Sequence, residues 1–393
     1  MKLLIKTIIL TALSFLFSTQ ISTAQDAPFK PSMKFNGRIQ SDIEILKMGD
    51  LSSSKFEFRR VHFSVAGHIA RKIKYKIETS FAHAKIGFRD IYIEYTGDKL
   101  GNFIVGSYAE PTSLDMLTSS KYIPFFERSM LTSLQDFRWG GGFHYNNFKI
   151  LDGKVGLQMA YTFKGVNSGG FKDSALEKGG NFIARLSGAV VNNKENHTLV
   201  HLGVNYDNRT DEDKADYELK FRPENHMGGK TVVDFSAGEN VTGRSSLGFE
   251  AAATFGPISV QGEYKKQTVS TDKKDFGVNA YYAMASYFLT GEHRPYKHGA
   301  FGRVKPKKSI DDGGYGALEL LARYSILDSS EALTTFNGLE TNGKTTDLTF
   351  GLNWYLNAHT RIMYNFVNTD FGFKDAANTN NQTAHLFRVQ MDF

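Results

Sequence analysis

The sequence predicts an all-β fold, a sixteen-stranded antiparallel transmembrane β-barrel with inward-folded loops. Three observations predict it: an export leader at the start, hydrophobic alternation of period two through most of the chain, and a last strand that ends on an aromatic residue.

The leader is read from Lys2 and Lys6, the apolar run from Ile8 to Phe17 and the small residues Ser22, Thr23 and Ala24. This is the layout of a cleaved signal peptide over residues 1–24, so a mature chain of residues 25–393 is expected to begin near Gln25. The apolar run is shorter than the ~20 residues a spanning helix needs, and no later run replaces it. The 393 residues include no cysteine, which fits an oxidising compartment. A mean hydropathy of -0.34 is compatible with a barrel, because half of each strand faces a wet lumen.

Removing residues 1–24 takes two of the 47 bases and none of the 41 acids, leaving a net charge of +4. That excess is too small to argue for nucleic acid, and the placement of the charges matters more than their sum. The 32 Phe, 18 Tyr and 37 Gly against 8 Pro suit strands with aromatic girdles at the lipid boundaries.

In the first candidate strand Met33, Phe35, Gly37, Ile39, Ser41, Ile43 and Ile45 alternate with Lys34, Asn36, Arg38, Gln40, Asp42 and Glu44. One face is largely apolar and the other entirely polar. The division recurs in Ile73, Tyr75 and Ile77 against Lys74, Lys76 and Glu78, in Val155 through Phe163, and in Leu348 through Leu356. A sandwich would need its apolar faces to meet, whereas lipid covers a barrel from outside. At the end Phe387, Val389, Met391 and the terminal Phe393 alternate with Arg388, Gln390 and Asp392, resembling an outer-membrane insertion signal.

Strands are predicted to start near Met33, Phe56, Lys72, Ile86, Asn102, Trp139, Lys154, Asn181, Thr198, Ser246, Ile258, Phe276, Tyr315, Thr345, Thr360 and Ala384. The count is even, as single-chain bacterial barrels require, and places both chain ends in the periplasm. Three connections, 109–138, 207–244 and 291–314, are too long for turns and are expected to fold into the lumen, the last from the periplasmic side.

Several segments resemble the phosphate-selective porin O and P family: Phe58-Arg59-Arg60 with Gly67, Arg89 through Tyr95, Gly106 with Glu110-Pro111 and Ser113-Leu114, and Thr118-Ser119-Ser120-Lys121 with Phe126-Glu127-Arg128. Phe221-Arg222-Pro223-Glu224, Gln261 through Tyr264, Phe288 through Glu292 and Gly299 through Val304 continue the series over nearly the whole mature chain. The resemblance implies an outer-membrane, homotrimeric channel with a constriction lined by arginines and lysines. Its permeants would be small phosphate-like anions, and it would require no cofactor.

Parity turns Arg60, His62 and Ser64 toward the lumen, together with Arg38, Lys74, Lys76 and Arg388. Lys220 and Arg222 share one face of an extended run, although Glu218 stands where a third base would continue it. Ser119, Ser120 and Lys121 combine hydroxyls with one ammonium and can replace part of an oxyanion's hydration shell. These nine residues, Arg38, Arg60, Lys74, Lys76, Ser119, Ser120, Lys121, Lys220 and Arg222, are the candidate pore lining. Asp42, Glu44, Glu78, Asp90, Glu94, Glu250, Glu263 and Glu319 share the lumen faces, so ion pairing competes for the basic charge.

Residues 338–345 fit a phosphate-loop pattern, but no helix follows them. The acids Asp207, Asp211, Glu212, Asp213 and Asp216 lack the glycine spacing of a calcium loop, and no metal is expected. A general, cation or organic-solute porin of the same fold, a rim-active outer-membrane enzyme and a nonconducting structural barrel are the alternatives.

Overall fold

The computed structural model describes residues 28–82, 86–135, 139–163, 180–210, 218–226, 231–234, 241–332, 343–372 and 381–393, with the backbone alone described at 218–220 and 231–234. The leader at 1–24, residues 338–342 of the loop-like motif and the acids Asp211, Glu212, Asp213 and Asp216 lie outside the described residues.

Sixteen antiparallel strands close into a barrel. They are β1 (Ser32–Met48), β2 (Leu51–Ala70), β3 (Ile73–Ser80), β4 (Gly87–Thr96), β5 (Asn102–Ala109), β6 (Trp139–Ile150), β7 (Val155–Thr162), β8 (Asn181–Asn193) and β9 (Thr198–Thr210). After a short hairpin, β10 (Glu218–Phe221) and β11 (Thr231–Asp234), the barrel resumes with β12 (Val241–Phe255), β13 (Ile258–Thr271) and β14 (Asp275–Phe288). A second hairpin, β15 (Tyr296–Lys297) and β16 (Ala300–Phe301), precedes β17 (Ala317–Asp328), β18 (Lys344–Tyr355), β19 (Thr360–Phe371) and β20 (Asn381–Asp392).

Closure joins the first strand to the last, with Arg38 opposite Asp392 and Met48 opposite Gln382. The terminal Phe393 exchanges backbone hydrogen bonds with Gly37 at 3.0 and 3.2 Å. Its ring lies where a Cβ on residue 37 would stand 2.5 Å from it, so glycine lets the terminal ring settle here and any side chain would displace it. Outside, Phe35, Ile43, Phe63, Phe103, Phe143, Leu186, Phe249 and Phe350 are exposed, as a lipid-facing surface demands.

On one side of the barrel two of the bulges that break the alternation bring arginines inward. Gln40 pairs with Arg60 but Ser41 pairs with Phe58, leaving Arg59 as an extra residue. Ile77 pairs with Ile91 but Thr79 pairs with Phe88, so Glu78 faces both Arg89 and Asp90. A bulge puts two consecutive side chains on one face. Strict parity would have sent Arg59 and Arg89 into lipid; here both turn inward beside Arg60 and Asp90.

The connection after β5 dives into the lumen. It forms a one-turn helix, α1 (Leu114–Leu117), and a 3-10 turn, Met130–Leu134. Ser113 caps α1 by accepting from the Met116 amide at 3.0 Å, and Glu263 accepts from the Leu114 and Asp115 amides at 2.9 and 2.7 Å. A carboxylate at the open amides of a helix start satisfies groups that have no internal partner.

Beyond α1, Phe125, Met130, Leu131 and Leu134 pack against Val269, Phe276, Val278, Tyr282, Met284, Leu321 and Leu327. Each such side chain contributes about 1.5–3 kcal/mol on burial. The inner face of β14 is apolar because this segment covers it. The 289–316 connection enters from the end that carries the C-terminus. Its Phe301 joins Leu114 in a second cluster, and Val304 packs on Phe288 and Tyr355 in a third. The expected inward folding therefore occurs from both ends, filling the β8–β17 side and leaving the β1–β5 side wet.

Lumen side chains satisfy the backbone of the buried connection. Asn353 donates to Pro124 O at 2.9 Å, Asn365 Oδ1 accepts from the Phe126 amide at 2.9 Å, and Arg388 donates to Phe126 O at 2.9 Å. Arg388 also grips Asp42 with bonds of 2.7 and 2.6 Å, and both side chains are fully buried. Arg388→Ala leaves that carboxylate unpaired and is expected to cost about 3–5 kcal/mol, read as a lowered urea midpoint of the refolded barrel.

Candidate functional site

The wet side holds a cavity of about 540 Å³ between β1–β6, the connection after β5 and residues 222–226. Arg38, Arg59, Arg60, Lys76, Arg89, Arg128 and Arg222 line it, against the acids Glu78, Asp90 and Glu127. Seven bases face three acids, so the lining carries a net +4 before histidines are counted. His226 adds nothing at neutral pH, since burial and the nearby Arg59 push it down to about 4.

The bases divide into two groups. Glu127 is held by Arg59 at 2.7 Å, Arg60 at 2.8 Å and Arg388 at 3.6 Å. Burial opposes its charge, but these guanidinium groups outweigh burial and keep the carboxyl well below the usual carboxylate range. Glu78 takes Arg38 at 3.2 Å and Lys76 at 2.7 Å, and Asp90 takes Lys76 at 2.6 Å.

Arg89, Arg128 and Arg222 form the second group. Among the described residues none of the three has a carboxylate within salt-bridge distance. Arg128 donates only to the carbonyls of Asp115 and Thr118, at 2.9 and 2.6 Å. Arg89 lies over the Trp139 ring at 4.2 Å, and Trp139 in turn donates to Asp90 at 2.7 Å. The Nε atoms of Arg89 and Arg222 are buried without a hydrogen-bond partner among the described residues. Among the described residues no acceptor takes the other N–H groups of Arg89 and Arg222 either, so these guanidinium groups line the cavity with donors to offer an incoming oxyanion.

Of the predicted lining, Arg38, Arg60, Lys76, Ser119, Ser120 and Arg222 meet at this cavity. Arg38 donates to Ser120 Oγ at 2.6 Å and Ser119 Oγ at 3.4 Å, which binds the serines to the wall. Lys74 does not line the cavity; it faces Glu94 at 4.0 Å across the β3–β4 pair. The side chain of Lys220 lies outside those described.

Lys121 also departs from the expected cluster. Tyr122 and Ile123 donate their amides back to Ser119 O, a turn that carries Lys121 away from the serines. Its ammonium sits 3.9 Å from Asp392, in a separate crevice with Tyr122 and Arg303. Burial, reinforced by Arg38, pushes its pKa down to about 8. Arg59, Arg89 and Arg128 were missed by parity; the first two sit at bulges, and Arg128 lies on a segment with no strand to count along.

All eight lumen acids weighed against the basic charge face inward, and they are consumed unevenly. Glu250 is spent on Arg185 at 2.6 Å with His201 at 3.2 Å, both on the filled side. Glu319 accepts from Asn353 at 2.9 Å and Tyr355 at 2.8 Å. Only Glu78 and Asp90 among the eight reach the cavity lining.

A closed sixteen-stranded barrel, lipid-facing outside and holding a wet charged cavity inside, defines an outer-membrane porin, a passage for passive diffusion. The chain belongs to the family described as phosphate-selective porin O and P, whose model matches residues 33–393. It is similar to Porin O of Pseudomonas aeruginosa, 29% identical over 372 residues that cover 86% of this chain and 82% of that protein. Among solved structures it is similar to an anion-selective porin from Comamonas acidovorans, with a TM-score of 0.59 at 14% identity, covering 93% of this chain and 100% of that one. The trimer form of OmpT, an outer membrane protein of Vibrio cholerae, gives a TM-score of 0.56 at 12% identity, covering 92% and 99%. These two likenesses establish the fold.

Because a lysine loses its charge as pH rises through its pKa, Lys121 is charged at neutral pH and discharges around its value of about 8. Single-channel chloride conductance is expected to fall as pH is raised from about 7 to about 9 and to stay level over that range in Lys121→Met. An equal fall in both proteins would place the titrating group elsewhere.

Proposed function

We propose that the protein is a passive, anion-preferring channel for inorganic phosphate and its condensed forms, exported by residues 1–24 and working as a homotrimer. The observation that carries the reading is the excess of positive charge in the cavity, concentrated in three arginines that have no carboxylate partner among the described residues. A low-dielectric wall focuses the field of such charges and raises the local anion concentration. The fixed guanidinium forks of Arg89, Arg128 and Arg222 match phosphate oxygens, with Arg38, Ser119 and Ser120 alongside. Arg59, Arg60 and Lys76 set the wall's potential while remaining tied to their acids.

The family description and the name of the Comamonas structure support anion preference, and the trimer form of the Vibrio protein supports the assembly. The relatives are porins, so the protein is read as a conduit without catalysis, driven by gradients and needing neither metal nor cofactor. Outer-membrane lipid would cover its apolar exterior.

Titrating phosphate into chloride and measuring conductance in a planar bilayer tests this. Phosphate is expected to block chloride current in the wild type. In Arg89→Gln or Arg222→Gln the half-blocking concentration should rise about tenfold, the equivalent of one charge-assisted hydrogen bond of ~1.5–3 kcal/mol. Lys344→Ala serves as the control, since Lys344 is paired with Asp328 at 3.4 Å away from the cavity. Absence of phosphate block in the wild type would remove the reading.

A further inference from the structure

We infer that the cavity takes an oxyanion carrying an organic body, a phosphate monoester of a sugar or similar polyol, and holds it more tightly than bare phosphate. This rests on the cavity being an anion site.

The first ground is size. A volume of about 540 Å³ is far more room than a tetrahedral inorganic anion fills. It falls within the ~300–1,000 Å³ of sites that enclose organic ligands.

The second ground is the division of the walls. Arg38, Arg59 and Arg60 line the β1–β2 wall, Arg128 and Arg222 come from the two inward connections and Arg89 from β4, while Trp139 and Tyr108 line the wall of β5 and β6. Tyr108 does not stand alone: its ring meets Tyr92 edge-on at 5.2 Å and His144 at 5.4 Å. Tyr108 and Trp139 therefore give the cavity an aromatic strip on β5 and β6, with Tyr92 and His144 packed against Tyr108 outside the lining. The ring faces themselves repel a bare anion, because they are electron-rich. They suit the C–H face of a sugar ring, whose apolar surface packs on an aromatic side chain.

The two walls are joined at one point. The Arg89 guanidinium carbon lies 4.2 Å from the centre of the Trp139 ring, so a phosphoryl group gripped by Arg89 stands beside the aromatic strip. Thr132 and Ser133, from the inward connection, also line the cavity and offer hydroxyls to those of a polyol. A phosphate monoester keeps three terminal oxygens, enough for Arg89, Arg128 and Arg222 together.

The test titrates glucose 6-phosphate, inorganic phosphate and glucose separately into chloride and measures conductance of the wild type in a planar bilayer. Half-block by glucose 6-phosphate is expected at about fivefold lower concentration than by inorganic phosphate, the gain of one added ring contact, with no block by glucose. In Tyr108→Leu the ratio of the two affinities should fall toward one. Equal or stronger block by inorganic phosphate in the wild type overturns the inference and leaves the anion reading intact. Block by neither anion defeats the anion reading and this inference with it. Block by glucose, or a ratio unchanged in Tyr108→Leu, also overturns the inference, because the organic body would not then depend on this strip beside the arginines.

Discussion

The grip of Arg59, Arg60 and Arg388 on Glu127 is the constraint from which the channel follows. A barrel of this size left empty would be a wide, weakly selective tube. It narrows only if the connection after β5 stays inside, and that requires a place for each of its backbone polar groups and for its carboxylates, Glu127 among them. Glu127 supplies the charge that three guanidinium groups need, and they supply the field that keeps it ionised. Packing of Phe125, Met130, Leu131 and Leu134 on β13, β14 and β17 holds the other end of the same segment.

That anchoring also explains why the passage lies to one side. On the β8–β17 side charge is spent in closed pairs, Arg185 with Glu250 and Arg323 with Glu224, and apolar side chains fill the space between. On the β1–β5 side the bulges deliver more bases than the neighbouring acids can neutralise. Selectivity in such a channel is thus a matter of which charges remain after the structural ones are paired. Counting lumen-facing lysines and arginines overstates it, since most of those counted hold the wall together.

Much of this architecture is written in the alternation of residues. All sixteen strands begin within a few residues of where the pattern places them, and Arg38, Lys76 and Arg60 face inward as parity requires. Parity fails at Arg59 and Arg89 because a bulge adds a residue without leaving a mark in hydrophobicity. The sequence does contain a sign of where the inward segment docks: Phe276, Val278, Ala280, Tyr282, Met284 and Phe288 make the lumen face of β14 apolar, which protein must cover. Lys121 was misplaced for a different reason. Its neighbours Ser119 and Ser120 suit an anion, but the depth and turning of a loop depend on long-range contacts such as Gln40 and Gln390 with its backbone.

The central claim is that uncompensated arginines around one cavity decide which ions pass. Reversal potential of the purified protein in a planar bilayer under asymmetric potassium chloride measures this most directly. A potential displaced toward the chloride equilibrium value is the predicted result, and one at zero or displaced toward potassium would contradict the account.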